Sequence, residues 1–249
     1  IFDEYGLKYF GPVDGHDMKA LLVSLEMVKD IEGPVLLHVV TQKGYGFEYT
    51  SGDPVTYHQT SSPFESEKGE FQKKKESAPS YSEVYTQTLI DFAEDDPRVV
   101  AVTAAMSEGT GLVEFSKRFP DRLFDVGIAE QHAVAFSAGL AASGMTPFAT
   151  IYSTFLQRAY DQVFHEVCLQ GLPVVFGVDR AGITGGDGAT AQGNFDIAYL
   201  RTLPQMTILA PRNASEFKLM LRFAREHPEP IAVRYPRDTI PEESPDDVP

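Results

Sequence analysis

The sequence predicts an α/β fold: a mostly parallel sheet with helices on both faces, preceded by the end of a second α/β domain. Three observations predict it. From residue 80 onward, short apolar runs alternate with segments whose apolar residues recur every three to four positions, the mark of strand–helix repeats. The run VLLHVV (35–40) is uninterrupted, as strands buried on both faces are, and RVVAVT (98–103) and VVFGV (174–178) read as further strands. Glycine, proline, serine or asparagine punctuates the junctions between them.

Residues 9–12 read as a short strand running into a turn. Asp17 is placed to cap a helix over 18–30, where Leu21, Leu22, Leu25 and Val28 fall at helical spacing, and Glu32-Gly33-Pro34 ends it. The strand 35–40 follows. KGYGF (43–47) sits at its carboxyl end, where open parallel sheets bind ligands. Residues 48–79 are polar and poor in apolar periodicity, so they read as a mobile linker, with the KKK run (73–75) a solvated tether. The expected division is therefore 1–47, the last part of one domain; 48–79, the linker; 80–238, a second domain; and 239–249, an acidic, proline-rich connector. In the second domain the pattern predicts helices over 81–94, 112–119, 130–143, 154–170 and 214–225, the last opened by Asn213. It predicts strands over 98–103, 123–126, 146–151, 174–178, 207–210 and 231–235, and a glycine-rich loop over 180–193.

Bulk properties narrow the function. A formal charge of −15 argues against nucleic acid and anionic membranes as partners, though a local arginine cluster still admits an anionic substrate. The single cysteine, Cys168, excludes an intrachain disulfide framework and fits a reducing compartment. No apolar run approaches the roughly 20 residues of a membrane span, and no signal peptide is recognisable. The chain starts in mid-pattern without methionine and is expected to be a processed or truncated piece.

Chemistry concentrates between residues 125 and 160. Glu130 opens a helix rich in Ala, Gly and Ser; helix-start electrostatics and a functional carboxylate both account for it. Ala133, Ser137 and Ala141 recur at i, i+4, a low face suited to close packing against a partner or ligand. One strand later come Tyr152, Phe155 and Arg158; core packing for Phe155, and a surface pair with Asp161 for Arg158, stay open as readings. The loop after the strand at 174–178 offers Asp179, Arg180 and Asp187, and lacks both the Walker and the dinucleotide glycine spacing. RYPR (234–237) ends the last strand with two guanidinium groups, suited to phosphate as well as to plain surface exposure.

The order of these pieces is more specific than any one of them. GPVDGHD (11–17), KGYGF (43–47), DPVTYH (53–58), FPDRLFDVGIAEQHA (119–133), IYSTFLQRAYDQ (151–162), VDRAGITGGDGAT (178–190) and VRYPR (233–237) resemble the 1-deoxy-D-xylulose 5-phosphate synthases of the transketolase superfamily. The resemblance implies a thiamine diphosphate- and magnesium-dependent carboligase that condenses pyruvate with glyceraldehyde 3-phosphate, with loss of CO2, as a cytoplasmic or plastid-stromal homodimer. The small-residue helix after Glu130 would then be a dimer contact surface. Glu130 matches the glutamate that hydrogen-bonds N1′ of the aminopyrimidine and sets up proton relay through the cofactor. Phe155 matches the aromatic stacked on the pyrimidine, and Phe47 an aromatic on the other domain's side. Arg180, Arg237 and Tyr152 match the phosphate grip, Arg158 and Asp187 the acceptor pocket, and His58 an active-site segment.

Two departures qualify this expectation. Ala191 stands where the family pattern D-G-x-T-H-x-G has a substrate-contacting histidine, so turnover is expected to suffer more than cofactor binding. The family's GDG…N motif for magnesium and diphosphate is absent; Gly186-Asp187-Gly188 belongs to the substrate loop. The metal ligands and a C-terminal domain are therefore expected outside this sequence, and the chain alone is expected to be inactive. The competing readings are a transketolase, the pyrimidine-binding subunit of a 2-oxo acid dehydrogenase, and a non-catalytic assembly fragment.

Overall fold

A computed structural model describes residues 2–54, 56–57, 64–65, 67–71 and 78–241. The chain divides into two compact units, Ile1–Lys75 and Glu76–Pro249. In the first, β1 (Lys8–Asp14) and β2 (Val35–Val40) pair in parallel, with a register shift between Phe10 and Val13. Helix α1 (Met18–Val28) connects them; Asp17 caps it as expected, its Oδ1 accepting from the amides of Lys19 and Ala20 at 3.0 and 3.1 Å. The expectation that β2 is buried on both faces does not hold in this unit. None of its residues is fully buried, and His38 and Val40 are exposed, because one partner strand and one helix cannot cover a sheet.

The stretch read as a mobile linker contains local structure among its described residues. Helix α2 (Glu48–Gly52) is followed by β3 (Phe64–Glu65), antiparallel to β4 (Glu70–Phe71). Tyr57 stacks on Phe71 at 5.2 Å, and the Tyr49 ring lies so close to Gly69 that a Cβ there would collide with it. A few aromatics organise a charged segment too short to show periodicity. His58 lies outside the described residues.

The second unit runs α3 (Tyr81–Asp95), β5 (Val99–Thr103), α4 (Leu112–Arg118), β6 (Leu123–Asp125), α5 (Glu130–Ala142), β7 (Thr146–Tyr152), α6 (Ser153–Leu156), α7 (Tyr160–Gln162), β8 (Val175–Asp179), α8 (Asp196–Leu200), β9 (Thr207–Leu209), α9 (Ala214–Glu226) and β10 (Ile231–Arg234). Its six strands are all parallel, in the order β6-β5-β7-β8-β10-β9. The chain winds outward from β5 to β6, then returns to β7 on the other side. The carboxyl ends of β5 and β7 therefore flank a switch point, where such sheets open a crevice. One apolar layer, with Tyr85, Leu89, Phe115, Phe148, Phe217 and Tyr235, lies under α3 and α9. The other, with Val102, Val134, Ile151, Val163 and Phe176, lies under α5 and the segment after β7. Helices on both faces of a parallel sheet are what the sequence predicts.

Local departures cluster near that crevice. The single helix expected over 154–170 is broken into α6, a 3-10 turn at Gln157–Ala159, α7 and a π-helical stretch at Val163–Cys168. Such irregularity accompanies functional positions. Helix α8 is too short for its periodicity to be read; it is fastened by a two-point ion pair, Asp196 to Arg234, at 2.8 and 3.2 Å. One guanidinium of RYPR is thus structural. The stripe Ala133–Ser137–Ala141 on α5 is buried within its own unit. Its small side chains let α5 lie close to β7 and the broken helix. No helix among the described residues is long and apolar enough to cross a membrane.

Candidate functional site

Parallel strands deliver their last residues to one edge of the sheet, and the site is built there. Asp125, ending β6, fixes the neighbouring loops. Its Oδ1 accepts from the amides of Ala105 (2.8 Å) and Gly127 (3.0 Å), and its Oδ2 from the Ser107 hydroxyl (2.9 Å). Ala105 is held there with φ 59°, a left-handed conformation unfavourable for a residue with a Cβ. The chain then enters α5 at Ala129, which offers no side-chain cap, and Glu130 occupies the first turn.

Glu130 is buried to 3% side-chain exposure, and its Oε2 makes no hydrogen bond. Its charged neighbour is the half-exposed Arg158, whose Nη1 lies 3.2 Å away without hydrogen-bonding alignment. Arg158 comes from the 3-10 turn that breaks the helix after β7, so the break brings that guanidinium to the carboxylate. Three residues earlier, Phe155 keeps 40% of its surface exposed, unusual for a phenylalanine beside a well-packed core.

A second group is joined through Phe155. The Phe155 ring stacks on Tyr152 (centroids 5.7 Å, planes 21° apart), and the Arg180 guanidinium lies 4.1 Å from the centre of the Tyr152 ring. Burial pushes the Tyr152 hydroxyl up from its ordinary pKa, against an opposing effect of Arg180, and keeps it protonated. Asp179 is not available to the loop, as the sequence suggested; it is fully buried at the end of β8. Its Oδ1 accepts from the Arg180 amide at 2.6 Å, and its Oδ2 from Arg180 Nη1 (2.6 Å) and Ser82 Oγ (3.2 Å). Burial raises the Asp179 carboxyl to about 6, with Arg180 opposing. Arg180 Nη1 also donates to the Gly109 carbonyl at 2.6 Å. A Cβ at Gly109 would collide with the Tyr152 hydroxyl unless that ring shifted.

The glycine-rich loop is held at its base by paired 2.8 Å hydrogen bonds between Gly182 and Gly193. Within it, Asp187 pairs with Arg237 from beyond β10, and the Thr190 carbonyl accepts from Thr154 at 3.1 Å. Ala191 lies in the turn Ala189–Ala191, half-buried, its carbonyl accepting from Thr184 at 3.4 Å.

Comparison with known proteins gives this edge a family. The transketolase pyrimidine-binding domain family matches residues 77–242, two-thirds of the chain. The chain belongs to the transketolase pyrimidine-binding domain family. The 1-deoxy-D-xylulose-5-phosphate synthase family matches residues 1–41. Among curated proteins the chain is 54% identical to the 1-deoxy-D-xylulose-5-phosphate synthase of Aquifex aeolicus and 52% identical to that of Natranaerobius thermophilus. Both matches cover 95% of this chain and 37% of the relative. The chain therefore spans little more than a third of the length of these relatives. Among solved structures it resembles a split-gene transketolase described as an inactive beta4 tetramer, with 31% identity and TM-score 0.61 over 69% of this chain and 56% of that one. It also resembles the transketolase of Pichia stipitis in fold, with 18% identity and TM-score 0.60 over 67% of this chain and 27% of that one.

Of the site residues expected from sequence, the pyrimidine-binding domain carries Glu130, Tyr152, Phe155, Arg158, Arg180, Asp187 and Arg237, all at the carboxyl edge of its sheet. Phe47 belongs to the other unit, where it precedes α2 and packs edge-on against Tyr49 at 5.3 Å. Sequence reasoning missed Gly109, Ser82 and Asp125, and misjudged Asp179. An aspartate closing an apolar strand run just before an arginine was the one available signal. Among the described residues, no three His, Cys, Asp or Glu side chains gather as a metal site.

Proposed function

We propose that the chain forms the pyrimidine side of a thiamine diphosphate-dependent 1-deoxy-D-xylulose 5-phosphate synthase. The observation that carries this is the buried Glu130 Oε2 without a hydrogen bond. A desolvated acceptor with no donor is costly unless a ligand supplies one, and a protonated ring nitrogen of an aminopyrimidine is such a donor. The exposed face of Phe155 beside it suits the same flat ring. The residues present thus fit the pyrimidine half of the cofactor. Thiamine diphosphate, when bound, supplies the carbon nucleophile that decarboxylates a 2-oxo acid and joins the remainder to an aldehyde. Glu130 holds the proton at the ring nitrogen, and Phe155 orients the ring. Arg180 and Arg237, with the protonated Tyr152 hydroxyl, grip the phosphate of glyceraldehyde 3-phosphate, and Arg158 and Asp187 line the acceptor pocket.

Residues 1–47 are assigned to the end of the diphosphate-binding domain, with magnesium held by that domain's other residues; the resemblance adds Phe47 as a cofactor-binding aromatic and His58 as a substrate-binding residue. A homodimer in the cytoplasm or plastid stroma completes the reading. The 52–54% identity to named synthases favours it over a transketolase or a dehydrogenase subunit. The test supplies the chain with the complementary part of a synthase, thiamine diphosphate, magnesium, pyruvate and glyceraldehyde 3-phosphate. Release of CO2 with formation of 1-deoxy-D-xylulose 5-phosphate is expected; ketol transfer without CO2, or no carboligation, would reject it. Residues 1–249 alone are expected to bind thiamine diphosphate poorly and not to turn over; tight magnesium-dependent binding by calorimetry would overturn the first, and product formation the second. Ala191→His is expected to raise the rate of the reconstituted enzyme, and an unchanged rate would remove Ala191 as its handicap.

A further inference from the structure

Arg180 is an unusual place to keep a ligand-gripping side chain. Its backbone is left-handed at φ 55°, which a residue with a Cβ adopts only against a steric penalty. Its guanidinium is almost wholly buried, and Nε has no hydrogen-bond partner. Something must hold both backbone and side chain, and one carboxylate reaches both. Asp179 Oδ1 takes the Arg180 amide, and Asp179 Oδ2 takes Nη1, each at 2.6 Å. The carboxylate is itself braced from α3 by the Ser82 hydroxyl at 3.2 Å. The same Nη1 meets the Gly109 carbonyl, which fixes the guanidinium plane over Tyr152.

We propose that Asp179 is the positioning residue of the phosphate site: it locks Arg180 so that the guanidinium lies on Tyr152 and presents its remaining donors toward the acceptor phosphate. This rests on the reading of Arg180 as a phosphate ligand. Asp179 touches no substrate and acts through Arg180. Simple electrostatics predicts the opposite sign. A carboxylate beside a guanidinium cancels its charge, so removing it should strengthen anion binding. Positioning predicts that removing it weakens binding, because an untethered arginine must be re-ordered at each encounter. A merely structural carboxylate would leave the affinity of the folded protein unchanged.

The experiment titrates inorganic phosphate into the 249-residue chain at constant ionic strength, followed by NMR shifts of the Arg180 side chain and the Tyr152 ring. Arg180→Ala calibrates it and is expected to lose at least tenfold in affinity; wild-type affinity there would overturn the phosphate assignment and the inference with it. With that loss seen, Asp179→Asn is expected to bind about tenfold more weakly; equal or tighter binding would overturn the positioning role alone. Ser82→Ala, remote from the ligand, is expected to weaken binding two- to threefold through the loosened carboxylate. If Asp179→Asn does not fold, Ser82→Ala decides, and wild-type affinity in it overturns the proposal.

Discussion

Two buried carboxylates stand at the same edge of the sheet and are treated in opposite ways. Asp179 is saturated: three donors reach it, and its counter-charge Arg180 is buried alongside. Glu130 is nearly as buried, yet Oε2 has no hydrogen bond and its only cation among the described residues, Arg158, is half in solvent. A carboxylate taken out of water costs several kcal/mol unless it is paired and hydrogen-bonded. The fold offsets part of that cost with three donors at Asp179 and supplies none to Oε2 of Glu130. The difference separates a carboxylate tied into the scaffold from one whose Oε2 is left an open acceptor.

The largest expected effects separate the two by kind of measurement. Glu130→Gln should lower turnover of the reconstituted synthase by about 10²–10⁴-fold, the usual range for a lost acid–base group. Its melting temperature should stay level or rise, since an unsatisfied desolvated charge is removed. Asp179→Ala should do the reverse in thermodynamic terms and cost about 3–5 kcal/mol of stability, because Arg180 is left buried without a counter-charge. Chemical denaturation of both variants beside wild type checks this. A Glu130 variant as destabilised as the Asp179 one would erase the distinction.

A smaller effect follows from pH. Burial, opposed by Arg180, raises the folded Asp179 carboxyl to about 6, above its ordinary value near 3.9. The folded state then binds the proton more tightly than the unfolded state between roughly pH 4 and 6. The contribution of Asp179 to stability is therefore greatest below that window and is lost as pH rises through about 6. The groups facing it are Arg180, Ser82 and Tyr85 from α3, Tyr152 from β7 and Tyr235 beyond β10. Burial raises all three tyrosines, so they stay neutral and add no competing titration. Asp96, lowered to about 2 chiefly by its hydrogen bonds from Arg98, has the opposite sign and a separate window, losing its contribution as pH falls through that value. The wild-type stability measured relative to Asp179→Asn should fall from pH 4 to 6 and then level; a flat difference would show that the proton is not held at Asp179.

The contrast between the carboxylates was only half legible in the sequence. Alternating apolar runs and helical periodicity marked the sheet, its helices and the strand ends, because those signals span many residues. Glu130, Phe155 and Arg180 stood out through motif order. Whether a carboxylate is satisfied depends on partners distant in sequence. Ser82 is 97 residues from Asp179, and Gly109 is 71 from Arg180, and neither spacing leaves a pattern in the sequence. The break in the helix after β7 was equally hidden, since its composition is ordinary for a helix and tertiary packing sets the 3-10 and π turns. The aromatic contacts within 48–79 escaped for a simpler reason: a strand of two residues has no period.

Phe155 offers the finest test, because it links the two regions. Its ring stacks on Tyr152, which carries Arg180 and so leads back to Asp179; three residues on, Arg158 reaches Glu130. Aromatic stacking contributes about 0.5–1.5 kcal/mol beyond area burial. Phe155→Ala should thus weaken thiamine diphosphate binding to the reconstituted enzyme by about 2–10-fold, with little change in stability for a ring already 40% exposed. If the saturated carboxylate holds Arg180 independently, phosphate affinity should stay within about twofold in this variant, since Asp179, Gly109 and Tyr152 remain. Calorimetry with each ligand in turn reads both numbers. A phosphate loss as large as the cofactor loss would mean that the stack, rather than Asp179, sets the arginine, and the two corners would then have to be treated as one mechanical unit.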